Sequence, residues 1–444
     1  MSKTKNQTKH VLPSGNKSVV SNPVNSEFYQ EIDNESTREE KKQGYQLYES
    51  SKFTGTINEL LNKAYDLKEL KSEASGLVDE EIINELKKID TSDEPLLKDN
   101  PDLFFIGDIP QQYKKIYDLY KKHQKAYWPA EDVSMETDKI DWINLLYDQV
   151  SEKLTFEQKV ENQHKNDRAR FFIKLTLAFF ANADGIVNSN LIERLCKEIK
   201  NPYSRSFYCF QMMMENIHSE AYTKMLQALV PDPIERDELF HAIYRIPVIR
   251  TKALFALKYI SHPDSDHYIN SPNSLGLRLV AQACMEMINF SSSFASIYWI
   301  RSRGKMPGLS EFNKQIAADE GLHGECSVEH YLLLKNKLPE KIVHKIIKES
   351  YNVEEEFFKH ALPVELVGMN SDDMGQYVKV VCNRLSEMLG YSPVFPNVTK
   401  IPSNFSFIEK INLNSKTNFH EYAPVEYQQA MINHAKKWGA RFNF

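Results

Sequence analysis

The chain has 444 residues, of which 41% are hydrophobic and 11% aromatic, a composition typical of a globular protein rather than a disordered one. Its net charge of -6 excludes the overall basic field of a nucleic-acid-binding surface. The longest apolar run, near 175–187, is short and interrupted by Asp184, so no membrane span is predicted. Five cysteines without a Cys-x-x-Cys pair favour reduced thiols, and we expect a cytoplasmic protein.

The first 93 residues carry no catalytic pattern. Residues 1–26 are rich in Ser, Asn and Lys, with no acidic residue before Glu27, which predicts a disordered tail. Residues 27–93 contain charged helical patterns at 57–70 and 79–89, and we interpret them as an accessory helical or linker region.

From Glu94 onward, helical patterns follow one another and strand-like alternation is scarce. Helices are predicted at 110–127, 168–200, 205–228, 233–247, 276–303, 310–337, 338–360 and 370–389. Two polar stretches, 151–167 and 262–274, are predicted to be surface insertions or long loops. The pattern indicates an all-α domain over 94–392, followed by an extended C-terminal tail at 393–444.

Four Glu-x-x-His pairs occur, at 161/164, 215/218, 238/241 and 320/323. The first and third lie in charged segments and are predicted to be solvated surface. The second and fourth lie beside apolar faces, where an unpaired carboxylate and imidazole would be costly. Because residues three apart share one face of a helix, these two pairs are candidate metal ligands.

Two further acids, Asp184 and Glu286, interrupt apolar helical segments. Singly, each is at least as well explained as a hydrogen-bonded structural acid. Together with the two inward-facing pairs, they give four helices with one carboxylate each, two of which add a His at the third position. This arrangement is found in ferritin-like di-iron and di-manganese carboxylate proteins. It predicts a ferritin-like helical bundle with a di-metal carboxylate site, and its oxygen-rich ligands favour Fe or Mn over structural zinc.

Longer motifs surround or follow these residues, among them FFANADGIVN at 179–188, MENIHSEAY at 214–222, DEGLH at 319–323 and ALPVELVGMN at 361–370. On such motifs, over roughly 94–428, the chain resembles the small, radical-bearing subunit of class I ribonucleotide reductase, of the eukaryotic type. The resemblance implies a small subunit of ribonucleoside-diphosphate reductase that holds two Fe ions per chain, a manganese-containing centre being less favoured. Its radical would serve the reduction of ribonucleotides to deoxyribonucleotides, the precursors of DNA.

The resemblance also implies a role for each matching residue. The implied metal ligands are Asp184, Glu215, His218, Glu286, Glu320 and His323. Tyr222 matches the tyrosine that becomes a stable radical when the reduced di-iron centre reacts with oxygen. The apolar pocket around that radical is matched by Phe290, Phe294 and Ile316. On residue type alone, Tyr222 and the phenylalanines could equally be ordinary core residues.

Three residues match the relay that carries the radical away. Trp128 and Asp319 match the link from the metal at His218 to the subunit surface, and Tyr427 matches the tail tyrosine that passes the radical on. Trp128 could instead anchor a helix end, and Asp319 could serve only as the partner of a ligating His. The resemblance further implies a homodimer that docks on a large subunit through its C-terminal tail. From the net charge and the lack of a predicted span, no nucleic-acid or membrane partner is expected.

Other functions remain open at this level. A stand-alone ferritin-like di-iron oxidase or oxygenase would need the metal ligands but no relay. A metal-free scaffold would not need the six ligands, and an iron store would lack the tail.

The chain departs from the family pattern in three places. Ala318 occupies the position before the Asp-Glu pair, where members of this type often carry Arg, and the segment 151–167 is longer than usual. The chain ends HAKKWGARFNF, which is basic and aromatic where the family tail is acidic. We therefore expect the partner groove to have an acidic rim.

Overall fold

The computed structural model describes the chain in four stretches. They cover residues 67–100, 106–260, 271–361 and 370–405. Tyr427, the predicted tail at 1–26 and most of the predicted tail at 393–444 lie outside the described residues, so the expectations placed on them stay predictions.

The described residues form a helical bundle and contain no β-strand. The helices are α1 Leu67–Gly76, α2 Glu80–Leu86, α3 Lys114–Lys125, α4 Glu136–Asp141, α5 Phe156–Asn190, α6 Pro202–Leu229, α7 Pro233–Phe240, α8 Ala242–Arg245, α9 Pro247–Ile260, α10 Leu275–Cys284, α11 Ser291–Ser302, α12 Pro307–Leu333, α13 Glu340–Ala361 and α14 Ser371–Met388. A π turn, Leu191–Leu195, and a short last turn, Cys196–Glu198, continue α5, and a second π turn, Met285–Asn289, joins α10 to α11. The predicted all-α class is confirmed.

The prediction of a loop over 151–167 is wrong for most of that segment, because α5 begins at Phe156. The helix starts there because Thr155 forms a capping box. Its hydroxyl accepts from the Gln158 backbone N–H at 3.2 Å, and the Gln158 side-chain oxygen accepts from the Thr155 N–H at 2.9 Å. Two otherwise unsatisfied donors are paired in this way, so a polar segment can begin a 35-residue helix.

Two other predicted helices are interrupted. The segment predicted as 233–247 divides at His241 into α7 and α8. The segment predicted as 276–303 contains the π turn Met285–Asn289. Of the predicted loop at 262–274, the described part contains a 3-10 turn, Pro272–Ser274.

The core lies among α5, α6, the α10–α11 segment and α12, which pack side by side. Helix α5 with its continuation to Glu198 is long and apolar enough to span a membrane, but 72% of its most apolar window is buried inside the molecule. Its apolar residues therefore pack on neighbouring helices.

The first turn of α12 is held by Asp138 on α4. This buried carboxylate accepts hydrogen bonds from the backbone N–H groups of Gly308 at 2.8 Å and Leu309 at 2.7 Å. A negative charge is favourable there because the first N–H groups of a helix have no partner within it. Gly308 permits the approach, since a Cβ at this position would lie 2.3 Å from the Ser134 carbonyl oxygen. The contact fixes the helix that carries Asp319, Glu320 and His323.

A buried ion pair joins α9 to α13 beside the core aromatics. Lys252 Nζ lies 2.7 Å from a Glu354 carboxylate oxygen, and both side chains are fully buried. The ammonium group also lies 3.5 Å from the ring centre of Phe179 on α5. Burial lowers the pKa of Lys252 to about 8 although Glu354 opposes the shift. Because an unpaired charge here would be costly, the pair fixes α9 and α13 against α5.

Candidate metal centre

Six predicted ligands meet in the middle of the bundle. They are Asp184 on α5, Glu215 and His218 on α6, Glu286 in the π turn, and Glu320 and His323 on α12. None exposes more than 3% of its surface. Four separate segments thus each bring a carboxylate into one buried volume.

The six residues form two overlapping groups. We call site A the group Asp184, Glu215, His218 and Glu320, and site B the group Glu215, Glu286, Glu320 and His323. Within each group, one ligand-type atom from every residue lies within 4.8 Å of the others. Glu215 and Glu320 belong to both groups, so each would contribute to both metal positions. Asp184 belongs to site A alone and Glu286 to site B alone.

Both histidines point the same ring nitrogen inward. His218 Nδ1 lies 3.2 Å from Glu215 Oε2 and 3.2 Å from Glu320 Oε1. His323 Nδ1 lies 2.7 Å from Glu320 Oε2 and 3.0 Å from Glu215 Oε1. The Nδ1 atoms are therefore the candidate ligand atoms, and each Nε2 faces away from the four carboxylates of sites A and B.

Several carboxylate oxygens of this cluster are buried without a hydrogen-bond partner among the described residues. They are both oxygens of Asp184 and Oε2 of Glu286. Buried carboxylates are costly unless paired or bound to metal. Four ionised carboxylates carry a charge of -4, and two divalent cations would supply +4. The unpartnered oxygens, the charge and the donor types all fit a di-metal centre.

The pKa values in the cluster show the same demand for positive charge. Burial, reinforced by the charge of Glu215, raises the pKa of Asp184 well above its usual value. Burial, reinforced by the charge of Glu320, does the same for Glu286. Burial alone would raise the pKa of Glu215, but the nearby His323 and His218 together outweigh it and lower the value to about 2. Metal binding must therefore displace protons from the cluster, which makes its affinity depend on pH.

Glu286 is held by a chain of side-chain amides. Gln211 Nε2 donates to Glu286 Oε1 at 3.1 Å and to Glu215 Oε1 at 3.3 Å. Gln282 Nε2 donates to the same Glu286 oxygen, and Asn190 Nδ2 donates to Gln282 Oε1 at 2.7 Å. One oxygen of Glu286 is thereby fixed, and the other is available to a metal ion.

Two backbone features bring Glu286 close to α12. The π turn around it changes the helical register, a feature often found at functional sites. Gly324, next to His323, leaves room for the turn, because a Cβ at this position would lie 2.5 Å from Met287 Cγ and 3.5 Å from Glu286 Cβ. The close approach depends on the missing side chain.

Tyr222 lies one helical turn beyond His218, fully buried in an aromatic pocket. Its ring stacks on Phe180 with a centre-to-centre distance of 5.3 Å. Phe180 in turn lies 5.4 Å from Phe290 and 5.2 Å from Phe294. Among the described residues the Tyr222 hydroxyl has no hydrogen-bond partner. Burial, and next the charge of Asp184, raises the pKa of the phenol well above its usual value.

Trp128 and Asp319 are joined to site A by hydrogen bonds. Asp319 Oδ2 accepts from Trp128 Nε1 at 2.8 Å and lies 3.0 Å from His218 Nε2. The Trp128 ring also stacks on the His218 imidazole, 5.9 Å between centres. Burial would raise the pKa of Asp319, but the nearby imidazoles of His123 and His218 together outweigh it and lower the value. An ionised Asp319 can therefore accept hydrogen bonds from Trp128 Nε1–H and His218 Nε2–H at once.

Comparison with known proteins agrees with this geometry. The pattern of the family described as "Ribonucleotide reductase, small chain" matches residues 109–402. The chain is 40% identical to the ribonucleoside-diphosphate reductase small chain of Neurospora crassa, over 79% of this chain and 78% of the relative. It is also 40% identical to the human ribonucleoside-diphosphate reductase subunit M2, over 76% and 78% of the two chains. The chain belongs to the ribonucleotide reductase small-chain family.

The fold agrees with this membership. The chain superposes on the Rnr4 homodimer of the Saccharomyces cerevisiae ribonucleotide reductase with a TM-score of 0.57 and 30% identity, covering 76% of this chain and 96% of that one. The predicted ferritin-like bundle is confirmed, and the protein is a ribonucleoside-diphosphate reductase small subunit with a carboxylate and histidine cluster for a di-metal centre.

Within this family setting, the structure brings together the six predicted ligands, and it places Tyr222, Phe290 and Phe294 in one pocket. Ile316 is buried on α12. Of the two pairs predicted to be solvated, Glu161 is exposed and pairs with Lys165. The prediction is wrong for Glu238, which is 7% exposed and lies 2.7 Å from Arg245 Nη1. The adjacent guanidinium compensates the carboxylate, so this acid can be buried.

Besides the amides that hold Glu286, the residues near the centre that were not predicted include Phe180 and His123. Phe180 touches Tyr222 directly, and its position four residues before Asp184 on α5 was a signal that it shares that helical face. His123 on α3 is fully buried, and its Nε2 lies 3.3 Å from His323 Nε2 and 3.5 Å from Asp319 Oδ1. His123 shares one helical face with buried Ile116 and Leu119, a spacing that was readable from the sequence.

Proposed function

We propose that the two metal ions of this reductase subunit are iron, and that Tyr222 carries the radical that the small subunit supplies to the large subunit. The observation that carries the proposal is the burial of an unpartnered phenol, in an aromatic pocket, one helical turn from a ligand of a di-metal carboxylate site. When bound and exposed to oxygen, the metal ions would supply the one-electron oxidant. Oxygen donors with one imidazole per ion suit both Fe and Mn, and the tyrosine at 222 favours iron.

The surroundings of Tyr222 suit a long-lived radical. The ring is packed by Phe180, and behind it lie Phe290 and Phe294. These side chains offer no proton or electron donor and exclude water from the ring. The raised pKa keeps the phenol protonated until it is oxidised. A radical formed here is therefore shielded from quenching by solvent and solutes.

The same geometry supports a relay from site A toward the surface. His218, Asp319 and Trp128 form a continuous hydrogen-bonded path in which one carboxylate oxygen serves both rings. We assign Trp128 and Asp319 to the inner part of this relay, and Tyr427 to its outer part. A relay requires a redox partner, which supports docking on a large subunit. The hydrogen-bonded Trp128 also disfavours the alternative of a stand-alone di-iron oxidase, because such an enzyme transfers no radical to another subunit.

The relay needs a large subunit to receive the radical, so the proposal extends to how the subunits assemble. We propose a cytoplasmic homodimer that docks on the large subunit through its C-terminal tail, whose last eleven residues are HAKKWGARFNF. A synthetic peptide of these residues should inhibit the mixed enzyme by competing for the acidic-rimmed groove, and its inhibition should weaken as salt is raised. A scrambled peptide is the control. Equal inhibition by both peptides, or by neither, would remove the docking role.

The assignment of iron is tested by reconstitution. Metal-free protein given Fe(II) and oxygen should bind two Fe per chain, show a tyrosyl EPR doublet, and reduce ribonucleoside diphosphates only when the large subunit is added. Protein given Mn(II) and oxygen alone is the matched control and should give no doublet. If the manganese form is active and the iron form is not, iron is the wrong metal. Substrate oxidation without the large subunit would favour the stand-alone oxidase.

A further inference from the structure

The two ligating histidines are backed by different groups. A histidine that holds a metal through one ring nitrogen commonly donates its other N–H to a carboxylate, carbonyl or water, which fixes the ring. His218 Nε2 has the Asp319 carboxylate at 3.0 Å. His323 Nε2 instead has the Nε2 atom of a third histidine, His123, at 3.3 Å. Sites A and B therefore have equivalent ligand types but unlike supports.

His123 is held in one orientation by aromatic rings. Its ring centre lies 5.5 Å from Phe207, 4.8 Å from Phe210 and 4.8 Å from His323. The side chain is fully buried in the last turn of α3. Its Nδ1 has no hydrogen-bond partner in the described part of the chain. The polar contacts that remain are those of Nε2, toward His323 and Asp319.

The direction of the hydrogen bond follows from metal ligation. If His323 holds a cation through Nδ1, its ring proton is on Nε2 and is donated. His123 Nε2 then accepts with its lone pair, and its own proton is on Nδ1. Without His123, the buried N–H of His323 would lose its acceptor and the ring would be free to turn away from Glu215 and Glu320.

We propose that His123 is a positioning residue for His323, so that cation binding at site B depends on this α3 residue more strongly than binding at site A, whose His218 is held by Asp319. This inference rests on the di-metal centre of the proposed function, and it does not depend on iron or on the radical. Loss of such a supporting group typically weakens metal binding about 10- to 100-fold.

The test measures binding of Mn(II) alone to full-length, metal-free protein under anaerobic conditions. Glu286→Ala removes a ligand found only in site B, and Asp184→Ala removes a ligand found only in site A. Adding His123→Ala should weaken the remaining site about 10- to 100-fold in the Asp184→Ala protein. In the Glu286→Ala protein the same addition should change affinity less than about twofold. Equal weakening in both backgrounds, or none in either, overturns the proposal.

Controls separate this role from a general effect on folding. His330 is also buried on α12, but it pairs with Ser204 Oγ at 2.6 Å, so His330→Ala should leave both sites unchanged. His123→Gln keeps an acceptor and should recover part of the site B affinity. If His123→Ala does not fold, the Gln variant and NMR of the Co(II)-loaded wild type test the role of His123. Slow solvent exchange of the His323 Nε2–H signal supports the inference, and fast exchange of that signal in the wild type overturns it. If wild type binds no divalent ions, the proposed function itself fails.

Discussion

Replacing Tyr222 with Phe should eliminate the tyrosyl EPR doublet and all ribonucleotide reduction, while two metal ions per chain are still bound. The substitution removes only the hydroxyl, which has no hydrogen-bond partner among the described residues, and it preserves the stacking on Phe180. The free energy of unfolding should therefore change by less than about 1 kcal/mol. EPR, metal analysis and thermal unfolding of the same preparation measure the three quantities together.

The chain offers a matched control on the same helix. Tyr208 is also fully buried on α6, and its hydroxyl likewise has no partner among the described residues, but its ring stacks on His330 rather than in the aromatic pocket. Tyr208→Phe should keep the doublet and the activity. If the doublet persists in Tyr222→Phe and disappears in Tyr208→Phe, the radical is on Tyr208 and our assignment to Tyr222 is wrong.

The ligands could be predicted from the sequence because their signal is local. Glu215 and His218 lie three residues apart in an apolar segment, as do Glu320 and His323, and Asp184 and Glu286 each interrupt an apolar run. Helical periodicity converts such spacing directly into a shared inward face. The all-α class and the two inward-facing pairs depend on this regularity, whereas the full set of six ligands was predicted from the ferritin-like arrangement and the family resemblance.

What was missed depends on contacts between helices or on irregular backbone. A π turn adds a residue to one turn of helix, and the apolar pattern from 276 to 303 continues across it, so periodicity alone did not reveal it. His123 belongs to no motif with His323 and meets it only because α3 packs on α12. The start of α5 is different, because Thr155 and Gln158 were a readable capping box in a segment taken for a loop on polarity alone.

Replacing Trp128 with Phe should separate radical formation from radical use. Phe has no N–H, so the hydrogen bond from Nε1 to Asp319 Oδ2 is lost and the path from His218 ends at the carboxylate. The Phe ring is also harder to oxidise than indole. We expect metal content and the Tyr222 doublet near wild-type values once Fe(II) is supplied with an external reductant, and ribonucleotide reduction at background.

The comparison that decides this prediction is Trp299→Phe. Trp299 is equally buried on α11, at 4% exposed, and it lies outside the hydrogen-bonded path, so its replacement should leave turnover near the wild-type rate. Binding of each variant to the large subunit should be unchanged, which separates a lost transfer step from lost docking. Wild-type turnover in Trp128→Phe would mean that the Trp128–Asp319 hydrogen bond only stabilises the fold around His218. Loss of turnover with the radical intact would assign the Trp128–Asp319 hydrogen bond to radical transfer. A contact that only stabilises the fold would not stop the reaction after the radical has formed.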